Sequence, residues 1–195
     1  MPESIERASR SPLTALPADS PRVRVARQLL GITLGAFVVA LSAQVTVPLP
    51  FTPVPMTLQP LAVLAVGGIL GARGGLAALV AYLAMGIAGL PVFAAGGSGI
   101  ARLLGPTGGY LLAFPIAAAV TGALARPRPW RALLGCAAGM LVIHVGGVAQ
   151  LAVLGVDPAR ALQSGFFPFF TADLLKVGLA ATAVLLWPRP RRSPR

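Results

Sequence analysis

Two opposite charges, Asp173 and Lys176, stand inside the last hydrophobic run of the chain, residues 166–187, where the other residues are apolar or small. Such a run reads as a membrane-spanning helix, and spanning helices normally exclude ionisable side chains. At a rise of ~1.5 Å per residue, Asp173 lies roughly 10 Å and Lys176 about 15 Å from the start of the run, inside a hydrocarbon core ~30 Å thick. Either residue costs ~2.5 to 3.5 kcal/mol near a helix centre. A spacing of three places both on one face, which must look into protein or a solvated pocket. That chemistry is either a structural ion pair that locks helices together or a polar site for something that enters the membrane domain. The second reading is favoured, because intramembrane charges usually mark substrate or ion sites.

Other residues capable of chemistry are few. His144 has no second histidine or carboxylate at ligand spacing, so it reads as a polar contact between helices rather than a metal or proton-relay residue, and Gln150 is read the same way. Cys136 is the one cysteine and lies within an apolar run, which leaves no disulfide framework and no metal cluster. Gly105-Pro-Thr-Gly-Gly-Tyr110 lacks the Gly-Lys-Ser/Thr that a phosphate loop needs to handle phosphate and magnesium, so no nucleotide-hydrolysing site is expected. Nor is there a paired carboxylate or a nucleophile beside a base, and the chain does not read as an enzyme. No cofactor or metal is called for.

The elements that must position these residues follow from composition. Of 195 residues, 56% are hydrophobic and 11% charged, with 23 Gly and 19 Pro, which describes a polytopic membrane protein and not a soluble domain. The net charge of +11 comes from arginines in short flanks and tails, not from a folded basic face, so nucleic acid is not expected as a partner. An all-α fold of six transmembrane helices is predicted, over about 27–47, 56–72, 75–90, 108–124, 132–154 and 166–187. Residues 1–26 read as a disordered basic leader, 27–187 as the membrane domain and 188–195 as a basic tail. In the first helix Gly31, Gly35 or Ala36, and Ala40 leave a smooth stripe for close helix packing. Four prolines between Pro48 and Pro55 forbid regular helix and predict an ordered loop or re-entrant segment that could cover a pocket. Gly71-Ala-Arg-Gly-Gly75 predicts a tight turn, and residues 155–165 a short loop.

Six helices put 13 of the 16 Lys and Arg on one side and only Arg102 and Arg160 on the other, which predicts both termini in the cytoplasm of a multi-pass inner-membrane protein. The proline loop, the Gly-rich connection at 94–107 and the start of the sixth helix then share the outer side.

Four stretches in this order, Pro53-Val-Pro-Met-Thr-Leu-Gln59, Gly89-Leu-Pro-Val-Phe93, Gly105-Pro-Thr-Gly-Gly-Tyr-Leu111 and Asp173-Leu-Leu-Lys176, resemble BioY, the biotin-binding substrate subunits of energy-coupling factor (ECF) transporters. With the six-helix layout the resemblance covers about residues 27–187. Family members often carry Pro-Gly immediately before Asp-Leu-Leu-Lys, where this chain has Thr171-Ala172 and an earlier Pro168. The resemblance implies biotin binding from outside and uptake by an ATP-driven transporter, with hydrolysis on a partner ATPase pair and a transmembrane coupling subunit. It also implies that the first helix meets the coupling subunit through small residues, here Ala36 and Ala40.

Biotin's ureido ring offers N–H donors and a carbonyl acceptor, so Asp173 would accept from an N–H and Lys176 donate to the carbonyl. Phe93, Tyr82 and Tyr110 are candidates for an aromatic wall, Arg102 for the cation near the mouth that takes the valerate carboxylate, and Thr57 and Gln59 for the remaining polar shell. On this reading Asp173→Asn weakens binding in an inserted protein. Lys176→Ala is expected to harm folding more, by leaving a carboxylate unpaired. The alternative is a stand-alone proton-coupled carrier of biotin or a related vitamin with Asp173 as proton carrier, although no inverted repeat between the two halves supports it.

Overall fold

The computed structural model describes residues 20–125 and 128–188. Leader residues 1–19, Arg126 and tail residues 189–195 lie outside them. Two compact units meet in sequence at Leu30 and Gly31. In the first, Ser20 caps the start of α1 (Pro21–Gln44), its Oγ accepting from Val23 N at 3.3 Å. Residues 21–26, expected in the leader, are therefore helical.

The second unit opens with the rest of α1. A two-residue strand β1 (Thr46–Val47) then pairs antiparallel with β2 (Met56–Thr57), and the proline segment forms the loop between them. Residues 56 and 57 thus belong to this ribbon, and α2 (Gln59–Ile87) begins after it, with Pro60 in its first turn.

Within α2 the chain reverses at Gly71, whose φ of 77° and ψ of 174° are open to glycine but not to residues with a Cβ. Gln59 and Tyr82 would stand more than ~30 Å apart on a straight helix, yet their side chains are 2.6 Å apart. A Cβ on Gly75 would lie 2.8 Å from Gly67 Cα. Thus α2 is two antiparallel arms, as the glycine-rich turn predicts.

A 3-10 turn (Ala94–Gly96) and the four-residue α3 (Ala101–Leu104) fill the Gly-rich connection, followed by α4 (Gly108–Leu124) and α5 (Pro129–Val153). Residues 158–165, expected as loop, form α6 (Pro158–Gly165), because Asp157 accepts from Ala159 N and Arg160 N at 3.0 and 3.3 Å. The chain then bends by 55° across Phe166 to Phe169, and α7 (Phe170–Leu186) begins four residues later than the sequence suggests. The bend contains Pro168, so a backbone break near Asp173 is present without Pro-Gly.

By length and apolarity α1 and α5 suffice to cross a bilayer, α6 with α7 make a bent further candidate, and α2 reaches the length of a span only with its two arms counted together. The reversal in α2, together with α4, brings the apolar helical segments to six. Their contacts are built on small residues. Added Cβ atoms on Gly67 and Gly75 would meet the Ala118 backbone and side chain, and those on Gly109 and Gly146 would meet each other's helix backbone. In lipid, where no water drives apolar surfaces together, such close backbone approach supplies the packing. Here α4 lies between α2 and α5, with α7 against both.

The small stripe of α1 is used within the chain. A Cβ on Gly35 would touch Val66, Ala78 and Leu70 of α2, and Ala36 and Ala40 are buried. Ala36 and Ala40, which the resemblance implies for partner contact, thus lie buried within this chain. The outward face of this part of α1 carries Leu34, Phe37, Val38 and Leu41.

Candidate functional site

The kink before α7 leaves Asp173 in its first helical turn, and Lys176 follows one turn later. Both are buried, with side chains 6% and 8% exposed, and Lys176 Nζ donates to Asp173 Oδ1 at 2.7 Å. The other carboxylate oxygen, Oδ2, is 2.8 Å from His144 Nε2 on α5. One carboxylate therefore joins two helices through two charged or polar partners. This is the interhelical contact expected of His144, and it lies at the charged pair itself.

Above this cluster opens a cavity of about 510 Å³, within the ~300–1,000 Å³ usual for small-molecule sites. Its wall includes the proline loop from Pro48 to Pro55, Phe93 to Ala95, Tyr110, Phe114, Ile143 and Phe169. Seven residues singled out in the sequence line this one cavity: Asp173, Lys176, Arg102, Phe93, Tyr110, Gln59 and Thr57.

Tyr82 does not. It is fully buried one step behind the wall, where its hydroxyl accepts from Gln59 Nε2 at 2.6 Å and donates to Val92 O at 3.2 Å. Its place is to hold Gln59, whose Oε1 faces Thr57 Oγ1 at 3.4 Å. Tyr110 is on the wall and donates its hydroxyl to Gly165 O at 2.6 Å, so the end of α6 is fixed to α4.

The loop parts of the wall are tied down by side chains. Thr52 Oγ1 donates to Ser164 O at 2.7 Å, closing the proline loop onto α6. Gln44 Oε1 accepts from Gly96 N at 3.2 Å and its amide reaches Phe93 O at 3.4 Å, so the end of α1 holds the Gly-rich connection. Arg102 is an exposed residue at the cavity rim, with its guanidinium lying on Gly97: an added Cβ there would come within 2.6 to 2.9 Å of Nε, Cζ and Nη2. Gln44, Thr52, Phe114 and Phe169 were not identified as site residues from the sequence. Only Gln44, a polar residue closing an apolar helix, gave a local signal.

The cavity thus has a buried dipolar end, an aromatic and aliphatic middle, and a cation at its rim. That arrangement suits a small amphipathic molecule with polar groups at both ends, at least one of them anionic. Among the described residues, no three His, Cys, Asp or Glu side chains are grouped to hold a metal ion.

Comparison with known proteins gives the same direction. A model of the BioY family matches residues 10–192. A probable biotin transporter BioY of Pyrococcus horikoshii is 41% identical over 159 residues, which are 80% of this chain and 92% of that protein. Biotin transporter BioY of Thermotoga maritima is 37% identical, over 82% of this chain and 94% of its own. In fold, the chain resembles a crystal structure of the S-component for biotin from an ECF-type ABC transporter, with a TM-score of 0.77 and 24% identity over 83% of this chain and 90% of that one.

Proposed function

The chain belongs to the BioY family, and on that premise we propose that it captures biotin as the substrate-binding subunit of an ATP-driven ECF-type transporter. It is a multi-pass membrane protein and a transporter component, not an enzyme. The observation that carries the ligand reading is the buried Asp173–Lys176 pair opening into a 510 Å³ cavity with Arg102 at its rim.

The ureido ring of biotin would lie against the pair. Asp173 already receives one bond on each oxygen, but a carboxylate has about four lone-pair sites, and an ammonium has three donors, of which Lys176 uses one here. Acceptor and donor capacity therefore remain for the ring's N–H and C=O. The thioether ring and aliphatic chain would contact Phe93, Tyr110 and Phe114, and the carboxylate would reach Arg102. Gln59 and Thr57 would complete the polar shell.

Both termini are proposed to lie in the cytoplasm, from the arginine asymmetry, with the cavity opening outward from the cytoplasmic membrane. Energy would come from a coupling subunit and ATPase subunits. The exposed apolar face of α1 is available to membrane or partner.

Biotin calorimetry on the detergent-purified chain, without ATP or partners, tests the reading. Tight binding lost in Asp173→Asn is expected, and no binding by a monodisperse wild type would overturn it. With partner subunits present, uptake should follow ATP. Collapse on adding a protonophore at constant ATP would instead favour a proton-driven carrier.

A further inference from the structure

Lys176 lies one helical turn from Asp173 and would be free to straddle both carboxylate oxygens. His144, on α5, holds Oδ2 at 2.8 Å and leaves the ammonium on Oδ1 at 2.7 Å. We infer that His144 is a positioning residue for the ligand: a neutral imidazole, protonated on Nε2, that fixes the Asp173 carboxylate so that unused lone pairs on both oxygens serve the cavity. The inference deepens the proposed biotin site and rests on that reading for the identity of the ligand.

The protonation state follows from geometry. An ionised carboxylate only accepts, so the nitrogen facing it must carry hydrogen. The other ring nitrogen, Nδ1, is buried with no partner among the described residues. Its surroundings are aromatic, with the Phe166 ring centroid 4.8 Å and the Tyr110 centroid 6.5 Å from that of the imidazole, both edge-on. An imidazolium would place a charged N–H there without an acceptor, the costlier of the two ways to leave that atom unpaired. The neutral Nε2–H form leaves a lone pair only. The cluster then holds one negative charge, one positive charge and one neutral donor, and it carries no net charge into the membrane domain.

Positioning through a donor differs from filling space, and the two separate experimentally. His144→Gln retains an amide donor that can reach the carboxylate, whereas His144→Phe retains a planar ring without one. His144→Phe should weaken biotin binding about ten- to a hundredfold, the scale of a hydrogen bond to a charged group, while His144→Gln stays within a few fold of wild type. The ratio of affinities for biotin and biotin methyl ester, which reports the Arg102 end, should be the same in all three.

The chain has a single histidine, so selective ¹⁵N-histidine labelling gives one ring to observe. Its spectrum should show Nε2 protonated and Nδ1 bare. Equal loss in the Gln and Phe variants at matched thermal stability would overturn the inference. So would a protonated Nδ1 in wild type, which stands even if His144→Phe fails to fold. Wild type that binds no biotin but shows the Nε2–H ring would refute the ligand and leave the positioning geometry intact.

Discussion

Removing one member of the buried pair does not cost the same from either side, and the structure decides the order. Lys176 has Asp173 as its hydrogen-bond partner and no other among the described residues, so Asp173→Asn leaves an ammonium without a counter-charge in the membrane domain. An uncompensated buried charge of this kind costs about 3–5 kcal/mol. Lys176→Ala leaves the carboxylate with its His144 donor at 2.8 Å. A hydrogen bond to a charged group contributes about 1.5–3 kcal/mol, which lowers the cost of that variant to roughly 1–3 kcal/mol.

For a chain of this size about 1 kcal/mol corresponds to ~2–4 °C in melting temperature, so Asp173→Asn should melt several degrees below Lys176→Ala. This reverses the order expected from the sequence, which shows no second partner for the carboxylate. The measurement is thermal unfolding of the two purified variants in one detergent without ligand. Asp173→Asn/Lys176→Met, which removes both charges, should recover to within about 1–2 kcal/mol of wild type and still fail to bind biotin. If Lys176→Ala melts at or below Asp173→Asn, His144 does not support the carboxylate and the reasoning fails.

Three further substitutions test the rest of the wall. Gly97→Ala should displace the Arg102 guanidinium, whose atoms lie 2.6 to 2.9 Å from the added Cβ, and reduce the preference for biotin over its methyl ester about tenfold; an unchanged preference would mean that Arg102 does not read the carboxylate. Tyr82→Phe should cost about 1–3 kcal/mol, because the buried Gln59 Nε2 loses its 2.6 Å acceptor, and a melting temperature equal to wild type would count against that accounting. Thr52→Val removes the bond from the proline loop to Ser164 O, and should raise the biotin dissociation rate about fivefold, on the scale of one neutral hydrogen bond. Stopped-flow release rates equal to wild type would show that this contact does not retain the ligand.

What could be read from the sequence was set by local cost. Charges at Asp173 and Lys176 are expensive in a bilayer, prolines at Pro48 to Pro55 cannot be helix, and a glycine-rich turn at Gly71 has few other uses. Each of these announces itself without knowledge of the neighbours. The pairing of His144 with Asp173 depends instead on the register of α5 against α7, which no short stretch encodes. Tyr82 lies behind Gln59 for the same reason: the antiparallel arms of α2 set which aromatic reaches the cavity. The small stripe of α1 was correctly a packing surface, but nothing in its spacing distinguishes a helix of the same chain from a partner. By contrast, Asp157-Pro158, an N-cap followed by a proline suited to the first turn, is a local signal for α6, but eight residues are too few to show an apolar run.

The two ends of the cavity rest on different kinds of support, and this bears on how a tightly held ligand can leave. Asp173, Lys176 and His144 stand on α7 and α5, helices packed against each other, so their geometry is set before a ligand arrives. Arg102, Phe93 and the proline loop stand on short connections whose attachment to the helices includes one neutral hydrogen bond from Thr52 and two from Gln44. Breaking one such bond costs about 1 kcal/mol, whereas disturbing the buried charges costs several times more. On the proposed function, the prediction is that release begins at the rim, with the loops opening while the charge cluster stays intact and the ureido end given up last. A rate of release sensitive to Thr52→Val, alongside an unchanged ¹⁵N signature of His144 in the same variant, is the pattern that this division of labour requires.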